Sequence, residues 1–212
     1  MAIIIRDVSD DEIPRVCAIE HAAYADNLLS PFLFPGPFPA DSQQQRVTQL
    51  IDMRKTDSTA RYIQAYDEET GQLIAFAKWH VYDSSSAAAA ARRPARNFGP
   101  GTNVEACEAF FGSLSTKKDE LMGEKPHLYL HMLHTDPSFQ GRGAGKILVE
   151  WGTKEADELG LPAYLESSPS GHHLYRQCGF HDVDMLKLDL GLYGGEGVYE
   201  EPLMIREPIT KE

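Results

Sequence analysis

Gln140-Gly141-Arg142-Gly143-Ala144-Gly145-Lys146 joins an extended apolar run to a strongly amphipathic stretch, and the fold is read from that junction. Three glycines in five residues let the backbone turn sharply and gather several N–H groups around one anion, which side chains would obstruct. A helix starting behind them adds the positive end of its dipole, so the stretch predicts a pyrophosphate cradle. The spacing narrows the kind of cradle. A nucleotide-triphosphate P-loop requires glycine where Gln140 stands and Ser or Thr where Ile147 stands. A dinucleotide fingerprint requires its third glycine at Lys146 or at Leu148, depending on register. Neither spacing fits.

The pattern that does fit is Q-x-x-G-x-G after a strand. Upstream, Leu130-His131-Met132-Leu133-His134-Thr135 reads as that strand, and Pro137 ends its pairing because it has no N–H to donate. Downstream stands Leu174-Tyr175-Arg176-Gln177-Cys178-Gly179-Phe180. These two signatures, in this order, resemble those of the GNAT superfamily of acetyl-CoA-dependent N-acyltransferases, and the stretch from Asn103 to Leu121 is similar to a fungal-type subgroup. The resemblance implies an α/β (α+β) fold: a mixed, mostly antiparallel sheet flanked by helices and splayed between its fourth and fifth strands. It also implies acetyl-CoA as co-substrate.

The rest of the chain is read outward from this centre. Residues 3–8 form a strand, and Ser9-Asp10-Asp11-Glu12 caps a helix carrying Ile13, Val16, Cys17 and Ile19. A second helix follows Asp41-Ser42, with Val47, Leu50, Ile51 and Met53 on one face. Between them, the four prolines of Leu29 to Pro39 exclude a helix. Arg61 to Tyr66 and Leu73 to Tyr82 are strands of a hairpin. Residues 83–102, with an alanine run and Arg92-Arg93-Pro94-Ala95-Arg96, read as an exposed insertion in a single domain spanning 1–212. Val104, Cys107, Phe110, Phe111 and Leu114 then recur at helical spacing. Ala144 to Gly160 is a helix, Pro162 to Glu166 a strand, and Ser170-Gly171 opens a short helix. Phe180 to Leu190 and Val198 to Ile205 close the sheet, and Tyr193 to Gly197 turns between them.

Amide formation from a thioester needs a neutral amine, a polarised carbonyl and a proton for the departing thiolate. The resemblance assigns the pyrophosphate to Gln140, Gly141, Arg142, Gly143, Ala144, Gly145 and Lys146, chiefly through main-chain N–H groups. It assigns the pantetheine arm to the main chain of Leu133, His134 and Thr135, in the manner of an added strand. Tyr175 matches the tyrosine that many family members use to protonate the thiolate. His131 resembles one of two strand histidines in serotonin N-acetyltransferases, the other being Tyr129 here. Alternation puts His131 on the same face as Leu133. An imidazole with an ordinary pKa near ~6.5 suits an amine's proton, while Glu166 and water stay open as rival bases. Tyr24, Phe32 and Phe34 either line the acceptor pocket or form a hydrophobic lid that anchors the two helices.

Composition excludes other classes. The formal net charge of −12 argues against sequence-independent nucleic-acid binding and suits a cationic acceptor, a small-molecule or peptide amine. No apolar run reaches the ~20 residues of a membrane span, which predicts a cytoplasmic protein without a membrane partner. Three scattered cysteines, Cys17, Cys107 and Cys178, make neither a disulfide framework nor a zinc knuckle. His80, His172 and His173 lack metal-ligand spacing, with no HExxH or CxxC beside them, so no metal is expected. The sequence leaves oligomeric state unread, and two further readings open: a catalytically degenerate acyl-CoA-binding regulator, and an interaction domain using the alanine-rich and Phe-rich segments.

Overall fold

A computed structural model describes residues 2–91 and 98–209. Among these residues seven strands form one sheet, built from β1 (Ile3–Asp7), β2 (Ala60–Asp67), β3 (Gln72–Tyr82), β4 (His127–Thr135), β5 (Ala163–Glu166), β6 (His181–Asp189) and β7 (Val198–Arg206). Their order is β1-β2-β3-β4-β5-β7-β6, and β4 with β5 is the parallel pair in an otherwise antiparallel sheet.

The first helix shows how local chemistry starts an element. Glu12 accepts hydrogen bonds from the Ser9 main-chain N–H and hydroxyl, each at 2.9 Å, and Pro14 sits in the first turn of α1 (Ile13–Ala23), where its missing N–H costs nothing. Val16, Cys17 and Ile19 then turn inward, and α3 (Ser42–Thr56) packs beside α1 through Leu50. Between them the proline-rich segment departs from expectation, because Ser30–Leu33 closes one helical turn, α2. Pro31 is tolerated there since first-turn N–H groups have no intrahelical acceptor.

The 83–102 segment also holds structure where described. Ser84 caps α4 (Ser85–Ala90) by accepting from the Ala87 N–H, and Ala88 is buried against the core. Alanine has the highest helix propensity and lets a helix approach closely, so the run packs instead of standing free. Residues 92–97, including the arginine-rich stretch, lie outside the described residues. The helical region that follows is α5 (Val104–Cys107), a π-type turn over Glu108–Gly112, and α6 (Ser113–Leu121). Cys107, Phe110 and Leu114 face the core, while Val104 is exposed.

The two sheet faces are covered differently. One face carries α7 (Ala144–Leu159), whose Leu148, Val149 and Ala156 meet Ala75, Ala77, Trp79, Leu128 and Leu130. On the other, α1 and α3 cover the β1–β3 half, and α2, α4, α5 and α6 cover the half built on β5, β6 and β7. The contact under α7 is tight at one point: a Cβ added to Gly152 would lie 2.1 Å from Trp79 Cε2, and the indole N–H donates to the Leu148 carbonyl at 3.2 Å. A Gly152→Ala chain is therefore expected to lose about 3 kcal/mol or more by overpacking, read as a lower urea midpoint. An unchanged midpoint would show that helix and strand do not meet this closely.

The sheet opens where β4 and β5 part. Their register runs from Leu128 opposite Ala163 to Leu130 opposite Leu165 and stops there, while the other edge of β5 pairs with β7 from Ala163 to Glu166. β4 continues to Thr135 against β3 alone. A wedge follows from Leu130 onward.

Candidate active site

The glycine loop sits at the mouth of that wedge. Asp136 Oδ1 accepts from the Ser138 N–H at 2.8 Å and its Oδ2 pairs with Arg15 of α1 at 2.5 Å, which fixes the end of β4. Gly141 and Gly143 have φ of 75° and 87°, a region that other residues rarely adopt. A Cβ at either would meet nothing within 4 Å, whereas one at Gly145 would lie 3.5 Å from Thr135 Oγ1. The loop is thus backed against β4 and open on its outer side. First-turn N–H groups of α7 point into that space without intrahelical acceptors, which suits an anion.

Two side chains of the loop face elsewhere. The Arg142 guanidinium bonds Asp67 Oδ2 at 2.8 Å, a fully buried carboxylate on β2, and lies 5.2 Å from the Phe139 ring centroid. It braces the loop from behind, so the side chain is tied to β2 and the loop's open outer side is left to main chain. Lys146 is half exposed, 3.3 Å from Glu150 Oε1.

Along the open edge of β4, Leu133, His134 and Thr135 carry main-chain groups that β5 does not reach. The His134 ring packs 5.3 Å from Phe76 and 4.9 Å from Tyr24. Burial pushes its pKa down to about 4, so it is neutral, and its Nδ1 has no hydrogen-bond partner among the described residues.

His131 corrects the alternation argument. Lys78 pairs with Met132 but Trp79 pairs with Leu130, so a bulge inserts His131 as an extra residue. Leu133 consequently packs under α7, while His131 lies on the opposite face, its ring 5.4 Å from both Tyr129 and His80. A bulge breaks the period of two, and sequence spacing alone does not reveal it.

Around His131 the wedge is lined with acids and phenols. Glu166 accepts from the Tyr129 hydroxyl at 2.7 Å and from the Tyr164 hydroxyl at 3.3 Å. Glu201 on β7 accepts from Tyr199 at 2.6 Å, and burial pushes its carboxyl up to about 7, the Glu166 charge adding to the effect and the Tyr199 hydroxyl opposing it. Tyr175, on α8 (His172–Gln177), is buried and lies over Gly171, where a Cβ would come within 2.8 Å of its ring. Burial, then the charge of Glu201, hold its phenol well above the ordinary tyrosine range, so it keeps its proton.

Tyr24, Phe32 and Phe34 separate. Tyr24 reaches His134 in the cleft. Phe34 packs 6.3 Å from Phe111, and Phe32 covers Gly195 in the β6–β7 turn, so both hold the proline-rich segment down. His172 pairs with Asp182 at 2.7 Å and His173 with Gln177 at 2.9 Å. Cys178 is packed beside α7, and burial raises its thiol pKa, which makes it a poor nucleophile.

Glu201 and His80 were not among the expected site residues. Glu201 shares strand parity with buried Tyr199 and Leu203, a legible sign of an inward acid. His80 gives no such sign, because β3 is buried on both faces and its hydrogen-bonding partners Asp57, Thr59 and His131 lie on other elements.

Fold and cleft together define an α/β protein suited to hold a phosphate-tipped ligand along a strand edge. The model of the acetyltransferase (GNAT) family matches residues 25–180, and the chain belongs to that family. An uncharacterized N-acetyltransferase of Schizosaccharomyces pombe is 31% identical over 101 residues, 48% of this chain and 43% of the relative, so the match spans less than half the relative's length. A histone acetyltransferase and related acetyltransferase from Corynebacterium glutamicum superposes with a TM-score of 0.64 at 20% identity, over 100% of this chain and 99% of that one. A phosphinothricin acetyltransferase from Sinorhizobium meliloti, in complex with AcCoA, gives 0.59 at 16% identity, over 98% and 89%. At these identities the two structures bear on the fold alone. In the described residues no helix is long and apolar enough to cross a membrane.

Proposed function

We propose that this chain transfers an acetyl group from acetyl-CoA to a primary amine by direct attack in a ternary complex. The observation that carries the reading is the wedge between β4 and β5, which opens beside the Gly141–Gly145 loop. Acetyl-CoA supplies the activated thioester. The loop amides and the α7 N-terminus hold its pyrophosphate, and the open edge of β4 pairs with the amide-bearing arm. His131, directly or through water, takes the proton of the incoming ammonium. As the C–N bond forms and the C–S bond breaks, Tyr175 gives its phenol proton to the thiolate, and the second proton shed by the acetylated nitrogen restores the phenol through water. Glu166, joined by Glu201 as pH rises past about 7, gives the wedge a negative lining that favours a cationic acceptor, small or peptidic.

Two measurements test this. Saturating acetyl-CoA, at about 100 times its Kd, stabilises the chain by ~2.7 kcal/mol in a thermal melt. Thiol release over a panel of aryl, alkyl, polyamine and peptide amines then shows turnover with at least one acceptor. Stabilisation without thiol release would support a coenzyme-binding regulator, and absence of both would remove the reading altogether.

A further inference from the structure

His80 stands outside every role described so far, yet it is 6% exposed and lies among aromatic rings. Tyr82 and Tyr129 lie near parallel to it, at 5.5 Å and 5.9 Å with 19° between planes in each case. Its Nδ1 faces two acceptors: Asp57 Oδ2 at 3.2 Å and Thr59 Oγ1 at 3.1 Å. The Thr59 hydroxyl spends its own hydrogen on Asp57 Oδ1, at 2.6 Å, so toward His80 it accepts. Nδ1 of His80 must therefore carry the proton. Its Nε2, at 3.3 Å from His131 Nδ1, is left as an acceptor in the neutral ring, and His131 donates from Nδ1. The lone pair of His131 is then on Nε2.

We propose that Asp57 and His80 are positioning residues that set the His131 tautomer and share the positive charge it gains. The inference rests on His131 being the base. When His131 Nε2 takes a proton from the amine, its Nδ1 proton can pass to His80 Nε2, leaving His80 cationic beside the Asp57 carboxylate. One proton enters, one moves, and no other reactant is needed. The hydrogen bond from His80, with those from Thr59, keeps the Asp57 carboxyl below its ordinary range, so the anion is present throughout the assay. Among the described residues, the charged or titratable groups around this array include Lys118 of α6, whose ammonium lies 5.2 Å and 5.0 Å from the Tyr82 and Tyr129 rings, His127, 5.0 Å from Tyr82, and Glu166 of β5, which accepts from the Tyr129 hydroxyl at 2.7 Å. The Lys118 cation opposes charge on His80, whereas the Asp57 carboxylate, in direct contact with His80 Nδ1, favours it, and Glu166 acts from behind Tyr129.

The test uses the full chain, comparing wild type, Asp57→Asn, His80→Gln and His131→Ala. Long-range nitrogen–proton NMR reads the imidazole tautomers without any substrate. The expected wild-type spectrum has His80 and His131 both protonated on Nδ1. Asp57→Asn, which keeps the shape of a partly exposed side chain, moves the His131 titration and the acid limb of the pH–rate profile to lower pH. It also lowers kcat by on the order of tenfold or more, with acetyl-CoA affinity unchanged. His80→Gln gives a loss of similar size. If His131 is protonated on Nε2 in wild type, or if Asp57→Asn leaves both titration and profile in place, the relay is overturned even when His131→Ala is inactive. If His131→Ala keeps full turnover, the assignment of the base fails instead.

Discussion

A Gly143→Asp chain is expected to bind acetyl-CoA about 1,000-fold more weakly than wild type. Two independent effects act at this position. Gly143 has φ of 87°, and a side chain there costs roughly 1–2 kcal/mol. The added carboxylate projects into open space at the start of α7, where it occupies the positive end of the helix and repels a pyrophosphate. At about 4 Å, like charges in a partly screened site repel by ~4 kcal/mol, which exceeds the strain. Gly143→Ala separates the two, since it keeps the strain without the charge and should lose on the order of tenfold. Titration calorimetry with acetyl-CoA reads both, and melts of the ligand-free chains check that each is folded. Equal affinity for Gly143→Asp and wild type would end the assignment of the loop as the cradle.

Tyr175→Phe is expected to lower kcat by about 100-fold or more while leaving acetyl-CoA affinity in place. The phenol is buried over Gly171, and Phe keeps its shape, so packing is conserved. What disappears is the proton. Burial and the Glu201 charge keep the Tyr175 phenol protonated beyond neutral pH, so it is available to the departing thiolate across the assay range. Single-turnover measurement of thiol release, with the preferred amine saturating, isolates the step. Full turnover of Tyr175→Phe across that range would leave the acid role without support.

His131 shows where local reading ends. Its residue type and its strand were legible, but its face was not, because the bulge opposite Lys78 and Trp79 depends on how β3 and β4 pair. The same holds for Arg142. Its place in the glycine loop is plain from the chain, yet its guanidinium turns to Asp67, 75 residues earlier. In the alanine run Ala88 is buried, a position that alanine's weak hydrophobic signal does not mark and that packing against the cluster of Ala106, Cys107 and Phe110 decides.

The chain by itself determined the elements whose causes are short-range. Glycines at 141, 143 and 145 permit the turn, the apolar stripe behind them makes α7, and alternation with turn residues marks the strands. Those local features carried enough pattern to point to the GNAT family. The tertiary structure alone decided which distant groups meet: Asp57 with His80, His80 with His131, Glu201 with the tyrosines of the wedge. Such meetings depend on sheet register and on one bulge, and a register shift of a single residue exchanges the faces of every side chain on a strand.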